Sequence, residues 1–480
     1  MRSAIIDIGY NAIRAVVYEC DRLGAPEIFN DKFKSDIINL LNLDDLEVKH
    51  QVYLSLQYFV HIFDRLSVTD VKCVATAVLR GHPRAEEFRE IVKRKFNINI
   101  EIISGNREAY LTAAGLISVI NDACGIAADL GGGSLELAQI KDKKVGILKS
   151  LPLGTSLITN NHFDDINIIS QMINKEFGEV YPNHSGIQQC QQGYHCPNLY
   201  LIGGALRLIG RSYMEFVHYP LKNLHNLEIN RREFELYLEK LAHAHSMRTQ
   251  YKSRIHSNAI LVAKSMLNVF LPEKVIISNY GLKEGVRFAC LPKEEQEKDI
   301  IYERIKTLVN FDETTCNIKN YTEVLKPILI QPDTTTISII TLVIMLAQYN
   351  KNIDKTLRSN FIVEFILASD IPFSHRQRLM LSIALALTYT ARSDTYINRL
   401  AKRMINSYDY CNSHIIGNFI KIAREIDGPR FQSPSFSLEL KDNRYIEIST
   451  LNILPKAVFE KVCERLKAIG FARKIFIEIK

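Results

Sequence analysis

The chain contains no tryptophan and no apolar run long enough to cross a bilayer. Its longest such run, around Ile337 to Ala347, covers about half of the roughly 20 residues that a spanning helix needs. The start, MRSAIIDIG, has no signal-peptide core and falls straight into strand-like residues. A soluble, cytoplasmic protein is the expectation, with no membrane partner. Cysteine is sparse and scattered. Nine residues, an odd number without framework spacing, exclude a disulfide scaffold and fit reduced thiols. Cys20 and Cys124, beside strands, are expected to be buried. Walker A and GxGxxG loops are both missing. So are basic stripes interleaved with aromatics, which argues against a nucleic-acid partner. The run KRK at 93–95 reads as the exposed end of a helix. His184, Cys190, His195 and Cys196, within NHSGIQQCQQGYHC, match no common zinc spacing and read as a solvated loop. His243 and His245 fall on different faces of a helix and read as surface.

What is present is a globular composition, 47% hydrophobic and 24% charged over 480 residues, which predicts two to four domains. The net charge of +7 suits an anionic ligand without requiring one. The informative feature is a repeat. DIGYNAIRAVVY at 7–18 has a partner, DLGGGSLELAQI, at 129–140. Each follows an apolar run. Each reads Asp, an aliphatic residue, Gly, three loop residues and an alternating strand. Arg14 of the first falls opposite Glu136 of the second. Two equivalent strand–loop–strand hairpins predict a duplicated architecture that points one glycine loop from each half into a shared cleft.

The chemistry of these loops fits phosphate. Gly131, Gly132, Gly133 and Ser134 offer successive backbone amides that side chains do not block. Asp7 and Asp129 would repel a phosphate and are better placed for a magnesium ion or its waters. Two ordinary hairpins with glycine turns are the plainer reading for either loop alone; the matched pair tips the balance. Between them, EIISGNREAYLTAAGL at 101–116 reads as strand, turn and helix, with Glu108 in the first helical turn. The helix N-terminus favours the ionised form there. Glu108 is thus a candidate base for a water nucleophile, although a Glu that stabilises a helix start is commoner.

Seven segments in order resemble the exopolyphosphatase/guanosine pentaphosphate phosphohydrolase family, Ppx/GppA, of the actin and sugar-kinase superfamily. DIGYNAIR resembles DIGSNSxR, VATAVLR at 74–80 resembles VATSAxR, and IISGNREA resembles ISGxEEA. DLGGGSLEL, LPLG at 151–154, LIGGALRLIG and ISNYGLKEGV complete the series to about residue 292. The resemblance implies two ribonuclease-H-like α/β domains of the actin-like ATPase type facing a cleft, at 1–122 and 123–292. It also implies magnesium-assisted hydrolysis of a phosphoanhydride without a phosphoenzyme. Carried onto this chain, Glu108 would orient or deprotonate the attacking water. Asp7, Asp129 and Glu136 would hold magnesium or its water shell, with Glu136 also counted as catalytic. Gly9, Asn11, Arg14, Arg80 and the 131–134 amides would bind phosphates. Inorganic polyphosphate or guanosine pentaphosphate would be the substrate, and a homodimer the assembly. The C-terminal extension and the basic balance lean toward polyphosphate.

There are departures. Two serines of the first loop are Tyr10 and Ala12, a loss of two hydroxyl donors worth roughly 0.5–1.5 kcal/mol each. Leu135 and Ala205 replace threonines, and Arg84 replaces an asparagine and adds a cation. The carboxylate set is nonetheless complete, which favours retained hydrolysis. A catalytically weak polyphosphate- or alarmone-binding regulator and an actin-fold kinase or ATPase are the competing readings.

Residues 293–428 read as a helical domain. Long members of the family carry an HD-like domain there, yet this chain has Leu346-Ala347-Gln348 at the expected metal-ligand position and no His between His256 and His375. An HD-like scaffold without its metal follows. Residues 429–480 read as a small α+β unit: FSLELKDNRYIEIS as two strands, PKAVFEKVCERLKAIG as a helix ended by its glycine, and KIFIEIK as a strand.

Overall fold

The computed structural model describes residues 1–46, 49–161, 165–177, 197–246, 257–348, 354, 357–390, 395–442 and 445–473. Its contacts gather into two compact units. One comprises 1–219 and 224–300, the other 220–223 and 301–480.

The first unit holds two sheets. In one, β1 (Ser3–Ile8), β2 (Ala12–Tyr18) and β3 (Glu27–Lys34) form an antiparallel meander, and β4 (Asp70–Ala75) and β5 (Ile100–Ile102) continue in parallel beyond β1. The order is β3-β2-β1-β4-β5. The second sheet repeats this plan. Here β6 (Gly125–Leu130), β7 (Leu135–Lys141) and β8 (Lys144–Leu151) form the meander. β9 (Asn198–Ile202) and β11 (Lys274–Ile277) follow in parallel, and β10 (Leu227–Asn230) closes the edge. The order is β8-β7-β6-β9-β11-β10. Central strands such as GIAADL are buried along nearly their whole length, whereas the edge strand EIFNDKFK alternates with solvent.

Two helices stand between the sheets. Gly105–Ile117 begins where the Ser104 hydroxyl accepts a hydrogen bond from the Arg107 amide, 3.2 Å. Its Ala109, Ala113 and Leu116 pack with Ala127, Ala138 and Tyr200 of the second sheet. Leu111 and Val286 join Ile5, Val16 and Val74 of the first sheet. Val286 belongs to the helix Leu282–Cys290, which crosses Gly105–Ile117 at Gly115 and Gly285. A side chain at either glycine would collide with the other helix's backbone, so the crossing is as close as two helices can come. This clamps the helix that carries Glu108.

The second unit is helical as expected, with the helix His375–Tyr389 buried along nearly all its length. A capping box at Ser374 and Gln377 starts that helix. Arg378, fully buried, donates to the carbonyls of Ile366 and Ile371, at 2.5 and 2.7 Å. The expected hairpin is present as β12 (Phe436–Lys441) and β13 (Tyr445–Thr450). The following helix differs from expectation. It runs through Gly470 to Arg473, because Gly470 packs on the buried face with Val462, Leu466 and Ile469 instead of ending the helix. KIFIEIK lies outside the described residues, as does NHSGIQQCQQGYHC. Among the described residues, no helix is long and apolar enough to cross a membrane.

Candidate active site

The two hairpin turns have the same construction. In the first, the Gly9 amide donates to the Ala12 carbonyl at 2.9 Å; in the second, the Gly131 amide donates to the Ser134 carbonyl at 3.0 Å. Asp7 is paired in register with Arg14, and Asp129 with Glu136. The correspondence of Arg14 with Glu136 in the sequence repeat is therefore a correspondence in space. One expectation changes. The amides of Gly9 and Gly131 close the turns from within, so these two glycines shape the loops and do not offer their own N–H groups to an anion. Gly132 and Gly133 stand at the corner of the second turn. Neither has a left-handed φ; they are glycines because space is short. A Cβ on Gly132 would lie 2.9 Å from the Asn11 amide nitrogen, and one on Gly133 2.8 Å from the Ala77 methyl.

Four carboxylates gather behind these turns, Glu108 and Glu136 buried, Asp7 and Asp129 half-buried. Asp7 is pushed up to about 7, first by burial and then by Asp129, against the pull of Arg14. Its Oδ1 is buried without a hydrogen-bond partner. Asp129 is also raised by burial, opposed by Arg207 and by the Thr112 hydroxyl, which donates at 3.2 Å. Glu136 is raised by burial and held in place by the hydroxyls of Ser134 and Ser150, the latter at 2.8 Å. Glu108 is raised by burial and by Glu136, against the pull of Arg80, whose guanidinium it contacts. This corrects the sequence reading, in which the helix N-terminus alone set the charge of Glu108. Burial beside other carboxylates outweighs the dipole.

Arg80 connects Glu108 to Ser150, the donor to Glu136. It donates to Glu108 and to the Ile103 carbonyl, 3.0 Å, and reaches the Ser150 hydroxyl at 3.4 Å. Gly105 makes room for this, since a Cβ there would collide with Ser150. Arg14 instead donates to Asn30 at 2.9 Å, and Asn11 is exposed. Arg84, read as an added cation for phosphate, is engaged elsewhere. It pairs with Glu87 at 2.9 Å and donates to the carbonyls of Leu43 and Asp44.

Several site residues escaped the sequence reading although their segments were noticed. Arg207, in LIGGALRLIG, donates to the Ser278 carbonyl at 2.8 Å and is the main cation acting on Asp129. Gly203, at φ +88°, lets that turn pass Asp129; a Cβ there would come 2.7 Å from its Oδ1. Lys283, in LKEG, pairs with Glu27 at 2.7 Å and Glu284 at 2.6 Å. Thr112 and Ser150 carried no signal as single hydroxyls. Cys20 and Cys124 prove half-buried, because each lies at the end of a strand and not within it; Cys73, inside β4, is the buried thiol.

The donor set fits a hard divalent cation. Buried oxygens with raised proton affinity, one of them unpartnered, favour positive charge among them. Among the described residues, no three acidic, His or Cys side chains converge closely enough to ligate one ion together.

Two sheets that share one strand order through five strands, each with an Asp-bearing glycine turn after its first strand, make this a duplicated α/β fold. The sequence profile of the Ppx/GppA phosphatase family matches residues 16–294, more than half of the chain. The chain belongs to that family. A guanosine-5'-triphosphate,3'-diphosphate pyrophosphatase of Aeromonas hydrophila is 32% identical over 111 residues, 23% of this chain and 22% of that protein. Exopolyphosphatase 1 of Mycobacterium tuberculosis is 23% identical over 173 residues, 34% of this chain and 50% of that one. The chain thus aligns with between about a fifth and a half of the length of these relatives. A solved exopolyphosphatase from Cytophaga hutchinsonii superposes with a TM-score of 0.49 at 18% identity, covering 60% of this chain and 97% of that one.

Proposed function

We propose that the protein hydrolyses a terminal phosphoanhydride and releases orthophosphate. The observation that carries this is the cluster of proton-avid carboxylates Asp7, Glu108, Asp129 and Glu136, with Arg80 on Glu108, set behind two glycine turns. Asn11, Arg14, Arg80 and the amides of Gly132, Gly133 and Ser134 would bind the phosphate chain. Asp7, Asp129 and Glu136 would hold magnesium or its water shell, and the ion would neutralise charge on the terminal phosphate. Glu108 accepts a proton from the attacking water as the oxygen bonds to phosphorus and the bridging P–O bond breaks. The electron pair leaves with the shortened chain. Glu108 must be ionised to accept that proton, and positive charge in the site would favour the ionised form against the burial that raises it. Arg80 turns the carboxylate and faces the charge that develops on the phosphoryl oxygens.

Inorganic polyphosphate is the favoured substrate, from the basic balance of the chain and its C-terminal extension; guanosine pentaphosphate is the runner-up. Orthophosphate release from each, with ATP beside them, separates the readings. Faster release from polyphosphate supports the assignment. Faster release from guanosine pentaphosphate moves it to that nucleotide, and ATP turnover alone would favour a kinase or ATPase. Binding of either phosphate compound without turnover would favour a regulator, a reading that the position of Tyr10 supports.

A further inference from the structure

Tyr10 occupies the place where the first turn would meet a phosphate. It is half-buried, its ring leans on the core of the first sheet, and its other side lies on the second turn. A Cβ on Gly132 would come 2.9 Å from both Cβ and Cδ1 of Tyr10, and one on Gly133 3.6 Å from its Cδ2. The two turns are therefore in van der Waals contact through this ring. A phosphate held between them needs a hydrogen bond on each side, and two bonds of roughly 2.9 Å already set the donors about 6 Å apart. The ring supplies neither donor, and its negative face repels an anion.

We propose that Tyr10 is the gate of the phosphate slot: its ring clasps the Gly132–Gly133 backbone, and a phosphate chain binds only when that clasp opens. The gate rests on the reading of the glycine turns as a phosphate site. Its prediction is nevertheless separate, because it concerns affinity and motion, not turnover. Loss of the ring removes the opening cost. Loss of the hydroxyl alone leaves the clasp in place.

The test is calorimetric binding of magnesium tripolyphosphate in a Glu108→Gln background, which prevents turnover. Adding Tyr10→Ala, which removes the ring without adding a donor, should tighten binding about tenfold, or about 1.4 kcal/mol, whereas adding Tyr10→Phe should leave it unchanged. Equal or weaker binding by the alanine variant overturns the gate and leaves the proposed function standing. No binding by any variant overturns both. Because the chain has no tryptophan, Tyr10→Trp places a single one at the clasp. Its emission should shift to the red when tripolyphosphate binds. Binding without a shift overturns the gate even if the alanine variant does not fold.

Discussion

Gly285→Ala probes how the site is held rather than what it contains. A Cβ at Gly285 would stand 1.6 Å from the Leu111 carbonyl oxygen, where the helix Leu282–Cys290 crosses Gly105–Ile117. Carbon–oxygen contacts normally begin at about 3.3 Å, so the helices must part by roughly 1.7 Å. The obstacle is backbone and cannot rotate aside. Overpacking costs about 1–3 kcal/mol, and a backbone obstacle puts this variant at the upper end. Glu108 lies three residues before Leu111, so the same shift draws its carboxylate away from Arg80. A misplacement of about 1 Å can cost about 100-fold in rate. Urea unfolding and phosphate release would be measured together, with Gly204→Ala as control, since a Cβ there meets nothing within 4 Å. A Gly285→Ala protein as stable as the control and equally active would refute the clamp.

Asp7→Asn should stabilise the protein above pH 7 when divalent cations are chelated. Burial raises Asp7 from 3.8 to about 7, roughly three pKa units or about 4 kcal/mol against the ionised form. The folded state holds the extra proton between those values, so wild-type stability falls as pH rises through that window. The amide removes this slope at a cost of about 1–3 kcal/mol for its own unmet bonds, leaving a net gain of about 1–3 kcal/mol at pH 8. Denaturant melts at pH 5 and pH 8 check it; an unchanged slope would count against the burial argument. Arg80→Met leaves Glu108 beside Glu136 without its cation. The acid limb of the pH–rate profile should then move upward, and an unmoved limb would separate Arg80 from the base. Ser150→Ala removes a donor to Glu136 and should lower the rate about fivefold, the size of one ordinary hydrogen bond. An unchanged rate would make Ser150 a spacer.

The repeat was legible because an Asp, a Gly and an alternating strand recur at matching offsets, and paired loops leave that trace whatever lies between them. Glu108 was legible from strand, turn and helix in succession. The charge state of Glu108 was not, since it depends on Glu136 and Asp129, distant in sequence. Arg84 misled for a related reason. A cation beside a phosphate motif looked available, whereas the carbonyls of Leu43 and Asp44, some forty residues earlier, had claimed it. Arg207 acts on Asp129 only because β9 lies in parallel beside β6. Gly470 resembled a helix end because sequence does not show which glycines face a packing neighbour.

The central claim is that Glu108 serves as the base of a phosphoanhydride hydrolase. Its most direct test is the initial rate of orthophosphate release from polyphosphate, with magnesium, by the purified protein and by Glu108→Gln. The amide keeps the side chain's size but loses its basicity and the charge that pairs with Arg80. The account predicts release by the wild type and a loss of at least about 100-fold in the variant, within the range of general-base catalysis. Equal release by both proteins would contradict it.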